Sequence, residues 1–114
     1  MAWWPGHAEF ALDLVHHHLN YVGSLHGGVI ATLLDVACGY CGLRSATDGR
    51  AGLAATITLS VSYHAPVATG RLVASGRVTG GGRSVFFSTG EVRAPDGTLV
   101  ATAQGAYKLA PQPG

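Results

Sequence analysis

The stretch from Val29 to Leu43, V-I-A-T-L-L-D-V-A-C-G-Y-C-G-L, is apolar at nearly every position and has no long polar face at any period. A helix of this kind is a buried helix and must be covered on all sides. The segment predicts one long helix from His26 to about Leu43, opened by Gly27-Gly28. Asp35 interrupts it, and it falls short of the roughly 20 apolar residues needed to cross a bilayer, so a membrane span is not expected. Cover for the helix has to come from the rest of the chain, or from another copy of it.

The rest of the chain reads as strands. Glu9 to His16 alternates, with Phe10, Leu12 and Leu14 set against Glu9, Ala11 and Asp13. Ala54 to His64 places Ile57, Leu59, Val61 and Tyr63 on one face and Thr56, Thr58, Ser60 and Ser62 on the other, and Pro66 ends it. Arg71 to Thr79 is a third strand, followed by a sharp reversal at Gly80-Gly81-Gly82. Ser84 to Arg93 is a fourth, the turn Pro95-Asp96-Gly97 comes next, and Thr98 to Leu109 is a fifth. Met1 to Gly6 shows no clear period. The expected class is α+β: a single domain over residues 1–114, in which one long helix is wrapped by a curved antiparallel sheet of about five strands.

Charge adds a second constraint. Asp, Glu, Lys and Arg make up only 11% of the chain, against about 25% in ordinary soluble domains. A small monomer needs surface charge, so this deficit, like the all-round apolar helix, points to a homo-oligomer that covers part of its own surface. The apolar share of 47% excludes a disordered chain. With a net charge of +1, one lysine (Lys108) and scattered arginines, there is no basic stripe to neutralise phosphates, and nucleic acid is not an expected partner. Two cysteines cannot form a disulfide framework, and no basic leader precedes an apolar run; both fit a cytoplasmic protein.

Chemistry concentrates between Asn20 and Asp35. Glycine is a poor helix former, so Gly27 and Gly28 at a helix start need another reason. They leave bare amide N–H groups at the positive end of the helix dipole, where an oxyanion or a polarised carbonyl is stabilised. Asp35, set among Leu33, Leu34, Val36 and Ala37, is a carboxylate that requires either a partner or a task. Asn20 and His26 sit beside this arrangement.

The pattern Asn20, Gly23, His26-Gly27-Gly28 and Leu34-Asp35 resembles the hotdog-fold thioesterases, in particular the phenylacetate-degradation type of acyl-CoA thioesterase. The resemblance continues through Tyr63-His64-Ala65-Pro66 and Asp96-Gly97-Thr98-Leu99-Val100-Ala101, and covers about residues 8 to 109. It implies that Gly27 donates its N–H to a thioester carbonyl, that Asp35 is nucleophile or general base, and that Asn20 orients the thioester or the attacking water. It also implies that His26 supports the loop or the thioester and that Thr56 positions the water, with Thr58 two residues further along the strand. An acyl-CoA or aryl-acyl-CoA substrate, no cofactor, no metal, and a tetramer made of two dimers are further implications.

Gly28, Arg83 and Ser84 are candidate substrate contacts, Arg83 because arginine suits the phosphates of coenzyme A. Cys38 and Cys41 share a helix face far from the N-terminus that would activate a thiol, and read as small core residues. His16-His17-His18 lacks a carboxylate or thiol partner for a metal. Two rival readings are a hotdog enoyl-CoA hydratase and a non-catalytic acyl-CoA binding module. The hydratase would need Asp and His on one loop, whereas Asp35 follows His26 by nine residues; the binding module would have no need of a buried Asp35.

Overall fold

The computed structural model describes residues 2–4, 6–13, 27–46, 54–66 and 70–109. In chain order these form β1 (Ala2–Trp4), β2 (His7–Asp13), α1 (Gly27–Ala46), β3 (Ala54–Tyr63), β4 (Arg71–Gly81), β5 (Val85–Arg93) and β6 (Leu99–Leu109). The six strands make one sheet in the order β1-β2-β4-β5-β6-β3, with every neighbouring pair antiparallel. The five expected strands and the helix are present, and the arrangement is the hotdog fold. The short β1 is an addition: it falls where the sequence showed no period, and it is held by pairing with His7–Glu9 of β2.

Turn chemistry closes the hairpins as the residue types dictate. Gly97 N–H donates to the Ala94 carbonyl at 2.9 Å across Pro95-Asp96, and the Asp96 carboxylate accepts from the Thr98 N–H at 2.9 Å. At the other end Gly81 takes a φ of +137°, and Gly82 N–H donates to the Val85 carbonyl at 2.8 Å.

The helix lies on the inner face of the sheet and contacts all six strands. Ile30, Leu34, Ala37, Cys38 and Cys41, at helical spacing, form its buried stripe. They meet Ala8, Leu72, Ala74, Phe86, Val92, Ala101, Ala103, Tyr107 and Leu109. Cover within one chain stops there. Val29, Leu33 and Val36 are only half-buried, and Thr32 and Tyr40 are exposed. The sheet therefore wraps one side of the helix, and the sequence expectation assigns the remaining side to another copy of the chain. A sheet has one inner face and can cover only one side of a cylinder.

A band of small residues lets the helix come close. The register places Ala8, Gly76, Gly90 and Ala103 side by side on β2, β4, β5 and β6, under the middle of the helix. A Cβ on Gly76 would collide with the Ala37 carbonyl group, and one on Gly90 would lie 2.7 Å from Cys38 Sγ. The first obstacle is backbone and cannot swing aside. Gly76→Ala is expected to lower stability by about 1–3 kcal/mol, the usual result of overpacking a core. Gly82→Ala, where nothing lies within 4 Å, should stay within about 0.5 kcal/mol of wild type. Thermal and denaturant unfolding of the two variants checks the contrast.

Candidate active site

Gly27 is the first residue of α1, so its N–H belongs to the set that no helical carbonyl accepts. Its carbonyl is tied to the sheet, because the Tyr63 hydroxyl of β3 donates to it at 2.8 Å. Gly28 follows as an exposed residue in the first turn, its carbonyl accepting from the Thr32 hydroxyl at 2.8 Å.

Asp35 stands two turns further along and is half-buried. Two hydroxyls converge on a single oxygen of its carboxylate. Thr56 Oγ1 donates to Oδ1 at 2.8 Å, and the Tyr107 hydroxyl donates to the same Oδ1 at 2.9 Å. The Tyr107 oxygen also lies 3.3 Å from the Asp35 main-chain carbonyl. Burial, the largest cause, and the hydrogen bond to Asp35 both push the Tyr107 phenol well above its ordinary value, so it remains a donor.

Thr56 reaches Asp35 because β3 changes phase. Thr56 pairs with Tyr107 and Thr58 with Ala106, leaving Ile57 as an extra residue in a bulge. Before the bulge Thr56 shares the inner face with Tyr107. After it, Leu59, Val61 and Tyr63 pair with the inward Gly105, Ala103 and Ala101. Three sequence expectations are corrected here. Ile57 is not on the face of Leu59, being 52% exposed; Thr56 is not on the face of Ser60 and Ser62; and Thr58 is on the outer face, opposite Thr56. Strict alternation cannot register an inserted residue, which reverses the facing of everything beyond it.

Asn20 and His26 lie outside the described residues, as does His16-His17-His18. Among the described residues no group of three His, Cys, Asp or Glu could hold a metal ion. Arg83 and Ser84 are exposed in the β4–β5 turn, where the Ser84 carbonyl accepts from the Leu109 N–H at 2.7 Å. That turn is at the same end of the sheet as the row Phe86–Tyr107–Thr56, which carries Asp35. The sequence reading missed Tyr107 altogether and, although it placed Tyr63 on the strand face and in the resemblance, missed its contact with Gly27. Tyr107 offered a signal: a tyrosine on the inward phase of a strand buries a hydroxyl, and a buried hydroxyl needs a polar partner.

A sequence model of the thioesterase superfamily matches residues 22–101. The chain belongs to that superfamily. A candidate esterase of Caenorhabditis elegans is 37% identical over 98 residues, 83% of this chain; the chain spans about half of that protein, 54% of its length. Among solved structures, a conserved protein of Pseudomonas aeruginosa is 30% identical with a TM-score of 0.86, the match covering 96% of this chain and 86% of that one. A mutant of the phenylacetic acid degradation protein of Thermus thermophilus is 28% identical with a TM-score of 0.81, covering 95% and 89%. No helix among the described residues is long and apolar enough to cross a membrane.

The helix carries two thiols beyond Asp35. Cys38 and Cys41 are fully buried, and desolvation pushes their pKa values up to about 11 and about 12. The Cys41 thiol donates to the Cys38 carbonyl at 3.0 Å, as does the Ser88 hydroxyl at 3.0 Å. Because only the thiolate reacts, neither should be labelled by a disulfide dye in the native protein at pH 8. Two equivalents should appear on unfolding, as the chain has two cysteines. Absorbance after dye addition, with and without denaturant, reads this directly.

Proposed function

We propose that the protein is an acyl-CoA thioester hydrolase that converts an acyl- or aryl-acyl-CoA to the free acid and coenzyme A, at a site shared between two subunits. The observation that carries the reading is Asp35, a carboxylate held by Thr56 and Tyr107 on the same helix whose N-terminus is Gly27. Membership of the thioesterase superfamily supports the reaction class. The Thermus relative is named for phenylacetic acid degradation, which supports including aryl-acyl thioesters.

Each group has a chemical task. The free N–H of Gly27, backed by the helix dipole, polarises the thioester carbonyl and stabilises the oxyanion that forms from it. Asp35 serves either as general base or as nucleophile. As base it takes a proton from water, and the resulting hydroxide adds to the carbonyl carbon. The tetrahedral oxyanion then collapses, the C–S bond breaks, and the departing thiolate takes up the proton. As nucleophile it expels the thiolate directly and leaves a mixed anhydride that water opens. Asn20 is assigned to orienting the thioester or the attacking water, and His26 to supporting the thioester or the segment before the helix. Gly28, Arg83 and Ser84 are assigned to binding substrate, with Arg83 at the phosphates of coenzyme A.

Helix geometry supports the shared site. Eight residues at a rise of about 1.5 Å put the Cα atoms of Gly27 and Asp35 about 12 Å apart. An attacking group has to approach within about 3 Å of the carbonyl carbon that Gly27 polarises, and one aspartate side chain cannot span the difference. A two-fold dimer resolves this by setting Gly27, Asn20 and His26 of one subunit against Asp35 and Thr56 of the other. The same contact would cover Val29, Leu33 and Val36, which the sheet leaves half-buried. A pairing of two such dimers completes the proposed tetramer.

Asp35→Asn retains an oxygen that can accept from both Thr56 and Tyr107, so fold and assembly should survive. Its amide is neither base nor nucleophile, and kcat should fall by about 10²-fold or more. The assay is a panel of acyl-CoA thioesters followed by thiol release. Near-native turnover by the folded variant contradicts the role of Asp35, and a wild type that cleaves no member of the panel contradicts the function.

A further inference from the structure

Tyr107 is built to be immobile. It is 2% exposed, and its ring stacks on Phe86 with centroids 5.3 Å apart and planes inclined by 15°. It occupies the space that side chains would take at Gly105 on its own strand and Gly39 on the helix. A Cβ added at those positions would lie 2.7 Å and 3.3 Å from the ring. Thr56, the other donor to Asp35, is exposed on the edge strand β3. One donor is therefore fixed by the core, while the other faces solvent.

Both donors meet Oδ1, and no donor among the described residues reaches Oδ2. No buried side-chain oxygen among those residues lacks a partner, so Oδ2 is open to solvent. The two oxygens of Asp35 are thus unequal: one is anchored, one is free.

Resting on the hydrolase reading above, we infer that Tyr107 is a positioning residue, whose buried hydroxyl locks the Asp35 carboxylate by Oδ1 and leaves Oδ2 as the oxygen that takes the proton from water or attacks the thioester. Tyr107 touches no substrate in this account and acts only through Asp35. The groups facing Asp35 are Thr56 from β3 and Tyr107 from β6, with the neutral thiol of Cys38 next on its own helix. Among the described residues no cation pairs with Asp35. The two hydroxyls are thus the groups that hold the Asp35 carboxylate in place.

The experiment compares wild type and Tyr107→Phe for thioester hydrolysis. The phenylalanine ring can keep the stack on Phe86, so Tyr107→Phe isolates the hydroxyl. Hydrogen bonds to charged groups are strong enough that its loss should lower kcat by about tenfold. KM should stay within about twofold, as expected when an interaction is lost in the transition state and not in substrate binding. A merely structural role would not confine the loss to kcat. Should Tyr107→Phe fail to fold, the ¹³Cζ resonance of Tyr107 is compared between wild type and Asp35→Ala; it shifts if the hydroxyl donates to the carboxylate. An unchanged resonance overturns the inference. A wild type that cleaves thioesters, with a Tyr107→Phe variant of equal kcat, overturns it while leaving the hydrolase reading intact. A wild type that cleaves none overturns both.

Discussion

The distance between the helix and the sheet governs everything else in this fold. The band Ala8, Gly76, Gly90 and Ala103 offers no side chain larger than a methyl group, and the helix settles onto it at Ala37 and Cys38. Asp35 precedes Ala37 by half a turn, so its height above the sheet is fixed by the same contact. At that height a tyrosine rooted in β6 can pass its ring beside the helix and bring its hydroxyl to 2.9 Å from the carboxylate. A helix raised by one methyl group would still bury Leu34 and Ile30, but the hydrogen bond would lengthen. Close packing here is a condition of the hydrogen bond to Asp35 as well as of stability.

The second determinant is the bulge at Ile57. Without it, the face of β3 that carries Leu59, Val61 and Tyr63 would turn Ile57 inward and Thr56 outward. With it, one strand supplies apolar contacts to the core, a hydroxyl to Asp35 and a second hydroxyl to the Gly27 carbonyl. Bulges commonly re-aim a side chain, and Thr56 is the side chain re-aimed here, toward Asp35.

Where the sequence was legible, local chemistry was the reason. The glycine pair at 27–28 and the apolar run after it defined a helix that begins at Gly27, and Pro95-Asp96-Gly97 defined a turn whose hydrogen bonds are as expected. Asp35 stood out because an isolated carboxylate in an apolar run demands a partner, and its partners are hydroxyls. What could not be read was non-local. The bulge depends on how β3 registers against β6, the strand at Ala2–Trp4 exists only through its pairing with β2, and Tyr107 lies 72 residues from the group it holds. The resemblance to the hotdog thioesterases reached Thr56 but carried no counterpart for Tyr107. Asn20 and His26 were singled out for their place beside the glycines, and lie outside the described residues.

We propose that no single chain completes the site, since Gly27 and Asp35 sit on one helix with their Cα atoms about 12 Å apart. Subunit mixing tests it most directly. An inactive chain bearing Asn20→Ala and His26→Ala is combined with an inactive chain bearing Asp35→Ala, and exchange is verified by mass. In a mixed dimer one site collects both lesions, and the other collects an intact loop and an intact Asp35. With random pairing about half of the dimers are mixed, so activity should return to roughly a quarter of wild type. If verified exchange restores no activity, the shared site is contradicted.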